Sequence, residues 1–304
     1  MKHYFRIVLF LILCITASAS LAAVGSDSTR VLIVIAHPDD ESAFACTIYK
    51  ITKEMHGLAD LVVITNGEGG YKYSTLAEAY YGIELTDEKT GRENLPRIRK
   101  KELMNAGNII GIRNYFFLDQ KDAHYTTDER EPLDTSWDVA VIQKQLAHIL
   151  SATRYDYVFC LLPEPGTHGG HKAATLMALQ AVGQMPATQH RPVVLGAGIR
   201  IKTDTTQLHF KQYKNYIETA TLIDTPAFRF DRTAPFGFKK QLNYKIIANW
   251  EIAEHKSQGV MQLGMNRGDE ELFWFFKMND PASFESSRRF FESLKTIPYP
   301  TKTY

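Results

Sequence analysis

The sequence predicts an α/β fold in which a mostly parallel β-sheet lies between two layers of helices. Short apolar segments rich in β-branched residues recur through the first 200 residues, as expected for strands buried on both faces of a sheet. Between them lie segments whose apolar residues recur every three or four positions, which is the period of a helix. Because strands that alternate with helices favour right-handed crossovers, the sheet is expected to be mostly parallel.

The first strand is predicted at Val31–Ile35, since this run is wholly apolar and mostly β-branched. Further strands are predicted on the same grounds at Leu61–Ile64, Tyr115–Leu118, Tyr157–Leu161 and, at the start of a fifth, Pro192–Leu195. Apolar spacing predicts helices at Ser42–Met55, Leu95–Ile110, Val139–Leu150 and Lys172–Val182. Residues 68–91 are expected to form a long loop with one short helix, and residues 119–137 a polar loop.

The alternation of strands and helices stops near residue 200. Residues 206–246 are expected to form short strands and turns, followed by helices at Asn249–Gln258 and Ser283–Leu294. No linker rich in Pro, Gly or Ser divides the chain. The sequence therefore predicts one domain, residues 23–304, with a Rossmann-like three-layer sandwich and an irregular C-terminal α+β extension.

The amino-acid composition is that of a globular protein with a hydrophobic core. The chain has 304 residues, of which 44% are hydrophobic, with 35 Lys and Arg against 34 Asp and Glu. A chain of this length buries about 75% of the surface that it exposes when unfolded, which suffices for a core without disulfides. The composition excludes a disordered, collagenous or coiled-coil chain. The balanced charge disfavours nucleic acid as a partner.

The N-terminus has the pattern of a secretory signal peptide. Lys2 and Arg6 precede the apolar run Ile7–Ile15, and small residues follow at 17–20 and 22–23. The apolar run is much shorter than the roughly 20 residues that cross a bilayer. We expect residues 1–22 to be removed, leaving an exported, periplasmic or extracellular protein without a transmembrane helix. An uncleaved signal anchor is the alternative.

Two cysteines remain beyond the predicted signal peptide. Cys160 lies within an apolar run, so we expect it to be a buried core residue. Two cysteines do not form a disulfide framework, although a bridge between Cys46 and Cys160 stays open in an oxidising compartment.

Candidate metal ligands follow two of the predicted strands. His37 and Asp40 come directly after the first strand, and His168 and His171 follow the fourth. Ligands of open α/β sheets bind at the carboxyl ends of the strands, where these residues are expected to meet. His37, Asp40 and His171 offer two imidazoles and one carboxylate, and they leave coordination positions open as a catalytic zinc site requires. In the alternative, the aspartates cap a helix and the histidines are solvated.

Six motifs in order give the sequence a resemblance to a known family. They are Ala36-His-Pro-Asp-Asp-Glu41, Thr65-Asn-Gly-Glu-Gly69, Arg99-Lys-Lys-Glu102, Phe117-Leu-Asp119, His168-Gly-Gly-His171 and His255-Lys-Ser-Gln258. Over about residues 30–260 the chain resembles the PIG-L/LmbE-like family of metal-dependent N-deacetylases. One departure is that Gly169 and Gly170 replace the usual Pro-Asp between the two histidines, so an acid near the site is lost.

The resemblance implies a function and a role for each residue. It places Zn²⁺, or another divalent metal such as Fe²⁺, on His37, Asp40 and His171. It makes Asp39 the general base and gives His168 a part in stabilising the oxyanion. Either the protonated Asp39 or His168 would then protonate the leaving amine. The other implied site residues are Arg99 and Asn66, which would bind substrate.

The implied reaction is the removal of acetyl from an N-acetylated amino sugar, such as N-acetylglucosamine, or its conjugate. The alternatives are a non-catalytic carbohydrate-binding relative with the same fold and an amidase that acts on another small amide. Glu102 is expected to pair with Arg99, and His255 to be structural. Four tyrosines of the long loop are candidates for substrate contact: Tyr71, Tyr73, Tyr80 and Tyr81.

Overall fold

The computed structural model describes residues 28–204, 206 and 208–299. The predicted signal peptide, residues 1–22, lies outside the described residues, so cleavage and export stay predictions. Every helix in the described ranges is too short or too polar to cross a membrane.

The described residues form one seven-stranded sheet. Its strands are β1 Arg30–Ile35, β2 Leu58–Thr65, β3 Ile112–Gln120, β4 Tyr157–Leu161, β5 Val193–Arg200, β6 Phe228–Asp231 and β7 Glu270–Phe275. Across the sheet their order is β3-β2-β1-β4-β5-β7-β6. Strands β1 to β5 pair in parallel, while β7 pairs antiparallel with both β5 and β6. The predicted five parallel strands are confirmed.

Helices cover both faces of this sheet. They are α1 Ala45–Tyr49, α2 Thr75–Tyr81, α3 Glu88–Ile110, α4 Val139–Ala152, α5 Gly169–Gly183, α6 Lys245–Glu254, α7 Gly259–Gln262 and α8 Ser283–Leu294. Side chains alternate across the central strand: Leu32 and Val34 pack into the core beneath α4 and α5, whereas Ile33 packs into the core beneath α1, α3 and α6. The predicted three-layer α/β sandwich is confirmed.

Strand β1 fixes the position of a crevice. It pairs with β2 on one side and with β4 on the other, so the chain order reverses between β1 and β4. Helices leave in opposite directions at such a point, which opens a crevice at the carboxyl ends of the two strands. The loops after β1 and β4 therefore meet there.

Helix α3 begins earlier than its apolar spacing predicts. The predicted start at Leu95 is wrong, because the helix begins at Glu88 and includes Pro96. Asp87 caps the helix by accepting a hydrogen bond from the backbone N–H of Thr90 at 2.9 Å. The first turns are mostly solvent-facing and polar, so they carry little apolar periodicity. Gly111 ends the helix as predicted, in the left-handed conformation with φ 85°.

The segment after β1 is helical but not one regular helix. Residues 42–55 were expected as a single helix, but the chain forms a 3-10 turn at Asp40–Phe44, then α1, then a π-helical turn at Lys50–Glu54. The loop at 68–91 contains a 3-10 turn at Glu68–Tyr73, helix α2 and the first residues of α3. This loop is therefore more ordered than the sequence predicts.

The C-terminal extension is joined to the sheet through β7, a strand that the sequence pattern does not predict. All six residues of β7 are buried. Glu271 accepts hydrogen bonds from the backbone N–H groups of Cys46 and Thr47 at 2.9 and 2.8 Å, and from Nε of Arg232 at 2.8 Å. This buried ion pair ties the extension to the segment that follows β1. Helix α8 has the predicted bounds, whereas α6 begins four residues earlier than predicted.

Both described cysteines, Cys46 and Cys160, are free and buried. The bridge that the sequence left open between them is not formed. Burial raises the pKa of the Cys160 thiol to about 12, which keeps it protonated and unreactive, as expected for a core residue.

Candidate active site

The turn after β1 orients Asp40 through the backbone. Oδ2 of Asp40 accepts hydrogen bonds from the backbone N–H groups of Ala36 at 3.1 Å and His37 at 2.9 Å. Its other oxygen, Oδ1, lies 2.9 Å from Nε2 of His171. One oxygen is thus held by the turn, while the other faces the loop that follows β4.

The loop after β4 brings two histidines to the same point. His168 is the N-cap of α5, and His171 lies in its first turn. Oγ1 of Thr167 lies 3.0 Å from Nδ1 of His171, which fixes the ring and directs Nε2 toward Asp40. The rings of His37 and His171 lie 5.1 Å apart between centroids. The structure therefore brings His37, Asp40 and His171 together.

These three side chains fit a divalent metal in their donor chemistry. Two imidazoles and one carboxylate converge, and the outer nitrogen of His171 has a partner that orients the ring, as metal-binding histidines normally do. Burial favours neutral His37, but the charges of Asp122 and Asp40 outweigh it and raise its pKa to about 10. The carboxylates thus already stabilise positive charge at this position.

Asp122 is a site residue that the sequence analysis missed. Its Oδ1 lies 3.7 Å from Nε2 of His37, and its Oδ2 accepts from the backbone N–H of Gly69 at 3.1 Å. Burial acts against ionisation, but His37 and Arg99 hold the pKa of Asp122 well below its usual range. Its position just after β3, on the same sheet edge, is the signal that could have identified it.

His168 is held in one tautomer. Its Nδ1 accepts a hydrogen bond from the backbone N–H of Gly170 at 2.9 Å. Burial, followed by the charges of His37 and His171, lowers its pKa to about 4, so the ring is neutral at physiological pH. A neutral ring that accepts at Nδ1 carries its proton on Nε2. His168 therefore presents an N–H donor rather than a free lone pair.

Limited space explains why glycines stand between the two histidines. A Cβ at Gly169 would lie 2.4 Å from the backbone oxygen of Asp128, and one at Gly170 would lie 3.0 Å from Nδ1 of His168. The backbone of Asp128 blocks a side chain at Gly169, whereas a side chain at Gly170 would be only tightly packed against the rings of His168 and His37. The backbone N–H of Gly170 supplies the partner of His168, at the position where the resemblance leads one to expect an acid.

Asp39 adopts a strained backbone conformation beside this cluster. Its φ of 128° is rare for a residue with a side chain and costs about 1–3 kcal/mol. Nη2 of Arg99 donates to Oδ2 of Asp39 at 2.9 Å and to the backbone oxygen of Pro38 at 2.5 Å, and Nη1 donates to the oxygen of Gly67. Burial raises the pKa of Asp39 to about 6, against the opposing charge of Arg99.

The predicted substrate-binding residues differ in position. Arg99 is 2% exposed, and its guanidinium is engaged by Asp39 and by backbone oxygens. Asn66 is not among the residues that line the pocket, and its Oδ1 is buried without a hydrogen-bond partner in the described part of the chain. Glu102 does not pair with Arg99; it accepts from the N–H and Oγ of Ser257 and from Tyr81.

These groups line one cavity of about 270 Å³. Its polar side is formed by the two aspartates of the turn, Arg99, Asp122 and the three histidines, and its less polar wall by Tyr73, Tyr125, Gln258, Val260 and Met261. Among the four tyrosines proposed for substrate contact, Tyr73 is the one that lines the cavity. A larger cavity of about 860 Å³ lies at the opposite end of β4 and β5, away from this cluster.

Comparison with known proteins points to one family. Residues 32–182 match the PIG-L family, described as GlcNAc-PI de-N-acetylase. The matched segment includes both histidine-bearing loops and ends before the C-terminal extension.

Two curated relatives and one solved structure are similar to this chain. The chain is 28% identical over 170 residues to the probable N-acetyl-alpha-D-glucosaminyl L-malate deacetylase 2 of Bacillus cereus, covering 56% of this chain and 68% of that protein. It is 25% identical over 266 residues to the protein of the same name in Bacillus subtilis, covering 83% and 99%. N,N'-diacetylchitobiose deacetylase from Pyrococcus horikoshii has 16% identity and a TM-score of 0.43, covering 88% and 91%.

Proposed function

From the premise that residues 32–182 form a domain of the PIG-L family, we propose that the protein is a metal-dependent N-deacetylase of an N-acetylated amino sugar or its conjugate. The observation that carries the proposal is the convergence of His37, Asp40 and His171 beside the free oxygen of Asp39, within one cavity. The relatives named as N-acetyl-glucosaminyl malate deacetylases support the same reaction class.

In this proposal His37, Asp40 and His171 hold Zn²⁺ or another divalent metal such as Fe²⁺. When bound, such a cation makes a water molecule more acidic and polarises a carbonyl oxygen. Its ligands do not include His168, because the hydrogen bond from Gly170 leaves the proton of His168 on Nε2.

Asp39 acts as the general base. Arg99 holds one carboxylate oxygen, so the other is free to accept a proton from the water that attacks the acetamide carbon. The carbon–nitrogen bond then breaks, and the proton held by Asp39 passes to the departing amine. Water is added across the amide, and the products are acetate and the free amine.

His168 donates to the carbonyl oxygen as negative charge develops there. Its Nε2–H is fixed by the tautomer, so no rearrangement is needed during the reaction. One such donor contributes about 3–4 kcal/mol to stabilising a transition state. We assign Arg99 to the positioning of Asp39, while substrate binding by Asn66 stays a prediction.

The cavity wall supports a sugar substrate. Tyr73 and Tyr125 offer aromatic faces beside polar groups, an arrangement that suits a ring with one apolar face and several hydroxyls. The signal-peptide pattern of residues 1–22 supports an exported enzyme that meets its substrate outside the cytoplasm.

Acetate release tests the proposal. The substrates are N-acetylglucosamine and its short oligomers, and the protein is assayed metal-stripped, zinc-loaded and as the Asp39→Asn variant. We expect release that requires metal and nearly disappears in the variant. Absence of release despite bound metal would exclude these simple amino sugars and favour another small amide. Absence of bound metal would contradict the ligand set and favour the carbohydrate-binding alternative.

A further inference from the structure

A second group of histidine and carboxylate side chains lies beneath the active site. It consists of Glu41, Glu251 and His255, which we call the sealed cluster; all three are fully buried. Nε2 of His255 lies 2.7 Å from Oε1 of Glu41 and 3.4 Å from Oε1 of Glu251. None of these side chains lines the active-site cavity.

The sealed cluster is joined to the active site through Glu41. While Oε1 of Glu41 bonds His255, its Oε2 accepts a hydrogen bond from the backbone N–H of Asp39 at 2.9 Å. Asp39 is the residue with the strained φ of 128°. A strained conformation persists only where the surrounding structure over-determines it. His255 fixes the carboxylate that fixes this backbone.

We propose that Glu41 and His255 are positioning residues that hold Asp39 in its strained conformation and so set the place of its carboxylate beside the metal ligands. The inference rests on the proposed function, in which Asp39 is the base. Arg99 holds the side chain of Asp39, and the Glu41–His255 pair holds its backbone.

His255 is itself firmly held. Its backbone oxygen accepts from the N–H of Gln258 and from Nε2 of Gln262, both at 3.0 Å. Two residues further on, Ser257 bonds Glu102 through its N–H and its hydroxyl, at 2.8 and 2.6 Å. Glu102 lies on α3, the helix that also carries Arg99. Both supports of Asp39 are therefore anchored to the same helix.

A second metal ion is the competing explanation for the sealed cluster, whose donor atoms lie within 4.8 Å of one another. A metal site needs an entry path and free ligand atoms. The sealed cluster is fully buried, so it has no entry path. Both oxygens of Glu41 already have hydrogen-bond partners, although the oxygens of Glu251 and Nδ1 of His255 have none in the described part of the chain. These observations favour positioning over metal binding.

Paired variants of His255 test the inference. The amide nitrogen of His255→Gln can still donate to Glu41, whereas His255→Leu leaves Glu41 without this partner. We expect kcat for acetate release to fall about 100-fold in His255→Leu, because a displacement of about 1 Å is enough for such a loss. We expect KM to change less than about threefold and His255→Gln to retain most of kcat, since the substrate cavity is intact.

A matched control separates positioning from loss of stability. Asn279 is also buried, and its side chain bonds the backbone N–H and oxygen of Val194 at 2.8 Å each, at the opposite end of the sheet. Asn279→Ala should lower the melting temperature while leaving kcat unchanged. If equal losses of stability gave equal losses of kcat in both variants, the role of His255 would be merely structural.

Burying an unpaired Glu41 could prevent His255→Leu from folding. The double variant Glu41→Met, His255→Leu removes both charges and replaces them with apolar groups of similar volume, which proteins usually tolerate. It leaves the N–H of Asp39 without its acceptor, so kcat should again fall about 100-fold.

Three results distinguish failure of the inference from failure of the proposed function. A kcat within about threefold of wild type in the double variant would overturn the positioning role. So would a second metal ion per chain that is lost from the His255 variants. If wild-type protein releases no acetate from any substrate, the proposed function fails, and the inference that depends on it fails too.

Discussion

The active site and the sealed cluster are built from the same residue types but differ in access to solvent. In the first, the donor atoms of His37, His168 and His171 lie within 4.8 Å of one another, and the same limit holds for Glu41, Glu251 and His255. The histidine and aspartate groups of the active site line a cavity of about 270 Å³, whereas the sealed cluster is fully buried. Donor chemistry alone therefore does not identify a reaction centre.

The turn after β1 contributes neighbouring residues to both regions. Asp40 faces His171 in the active site, and Glu41 faces His255 in the sealed cluster. Asp39 lies between them: its side chain reaches the cavity, and its backbone is bonded by Glu41. In our proposal, the open region carries out the chemistry and the closed region holds Asp39 in place.

The largest expected effect comes from removing a ligand. Asp40→Ala deletes the carboxylate that faces His171 and should abolish both metal binding and acetate release. The measurement is metal content per chain together with activity. Asp119→Asn is the control, since it removes an exposed carboxylate near the same sheet edge that pairs with Lys100. Full metal content in Asp40→Ala would remove this residue from the ligand set.

The next largest effect is expected from Asp39→Asn. The amide keeps the shape of the side chain but cannot accept the proton, so kcat should fall by about 100- to 10,000-fold with metal still bound. Steady-state kinetics and metal analysis on the same sample check this result. Loss of metal together with activity would instead make Asp39 a ligand.

A smaller loss is expected from His168→Ala. Removing the Nε2–H donor should lower kcat by about 100- to 1,000-fold and leave metal content unchanged. His171→Ala provides the comparison, because loss of a ligand should release the metal. If His168→Ala also released the metal, His168 would be a ligand, and the tautomer assigned from the Gly170 bond would be wrong.

A fourth effect, on stability rather than on activity, concerns the sealed cluster. Burial, and then the charge of Glu41, raises the pKa of Glu251 to about 8, from an ordinary value near 4.5. The folded state therefore keeps a proton that the unfolded state releases between these pH values, so stability is lost as pH rises through this window. Glu251→Gln carries no such proton.

Urea unfolding at pH 5, 6.5 and 8 checks this effect. Relative to Glu251→Gln, the wild type should lose unfolding free energy as the pH rises. The loss is about 1.4 kcal/mol for each pH unit over which Glu251 is protonated in the folded state and ionised in the unfolded state. Parallel pH profiles for the two proteins would show that Glu251 is ionised in the folded state.

The parallel strands of the fold could be predicted from the sequence because they are buried on both faces. Such strands appear as continuous apolar runs, as at Val31–Ile35. Strand β7 begins with Glu270 and Glu271 and was missed, because burial of Glu271 depends on Arg232, 39 residues away in the chain. The start of α3 was missed because its first turns are polar.

The candidate site residues also divide into those that local sequence spacing reveals and those that it does not. The convergence of His37, Asp40 and His171 was predicted because each stands in a short motif after a strand, where local spacing carries the signal. Asp122 and the partner of Glu102 were missed, since both depend on contacts between distant segments. The contact between His255 and Glu41, which in turn bonds the backbone of Asp39, joins residues 214 positions apart and has no counterpart in local spacing.

Metal content per chain in three proteins decides whether the metal binds at Asp40 or in the sealed cluster. Wild type, Asp40→Ala and His255→Gln would be stripped, reloaded with zinc, dialysed and analysed for bound metal. We expect one ion in wild type, none in Asp40→Ala and one in His255→Gln. Two ions in wild type, or one ion lost from His255→Gln and kept in Asp40→Ala, would contradict this expectation and make the sealed cluster a metal site.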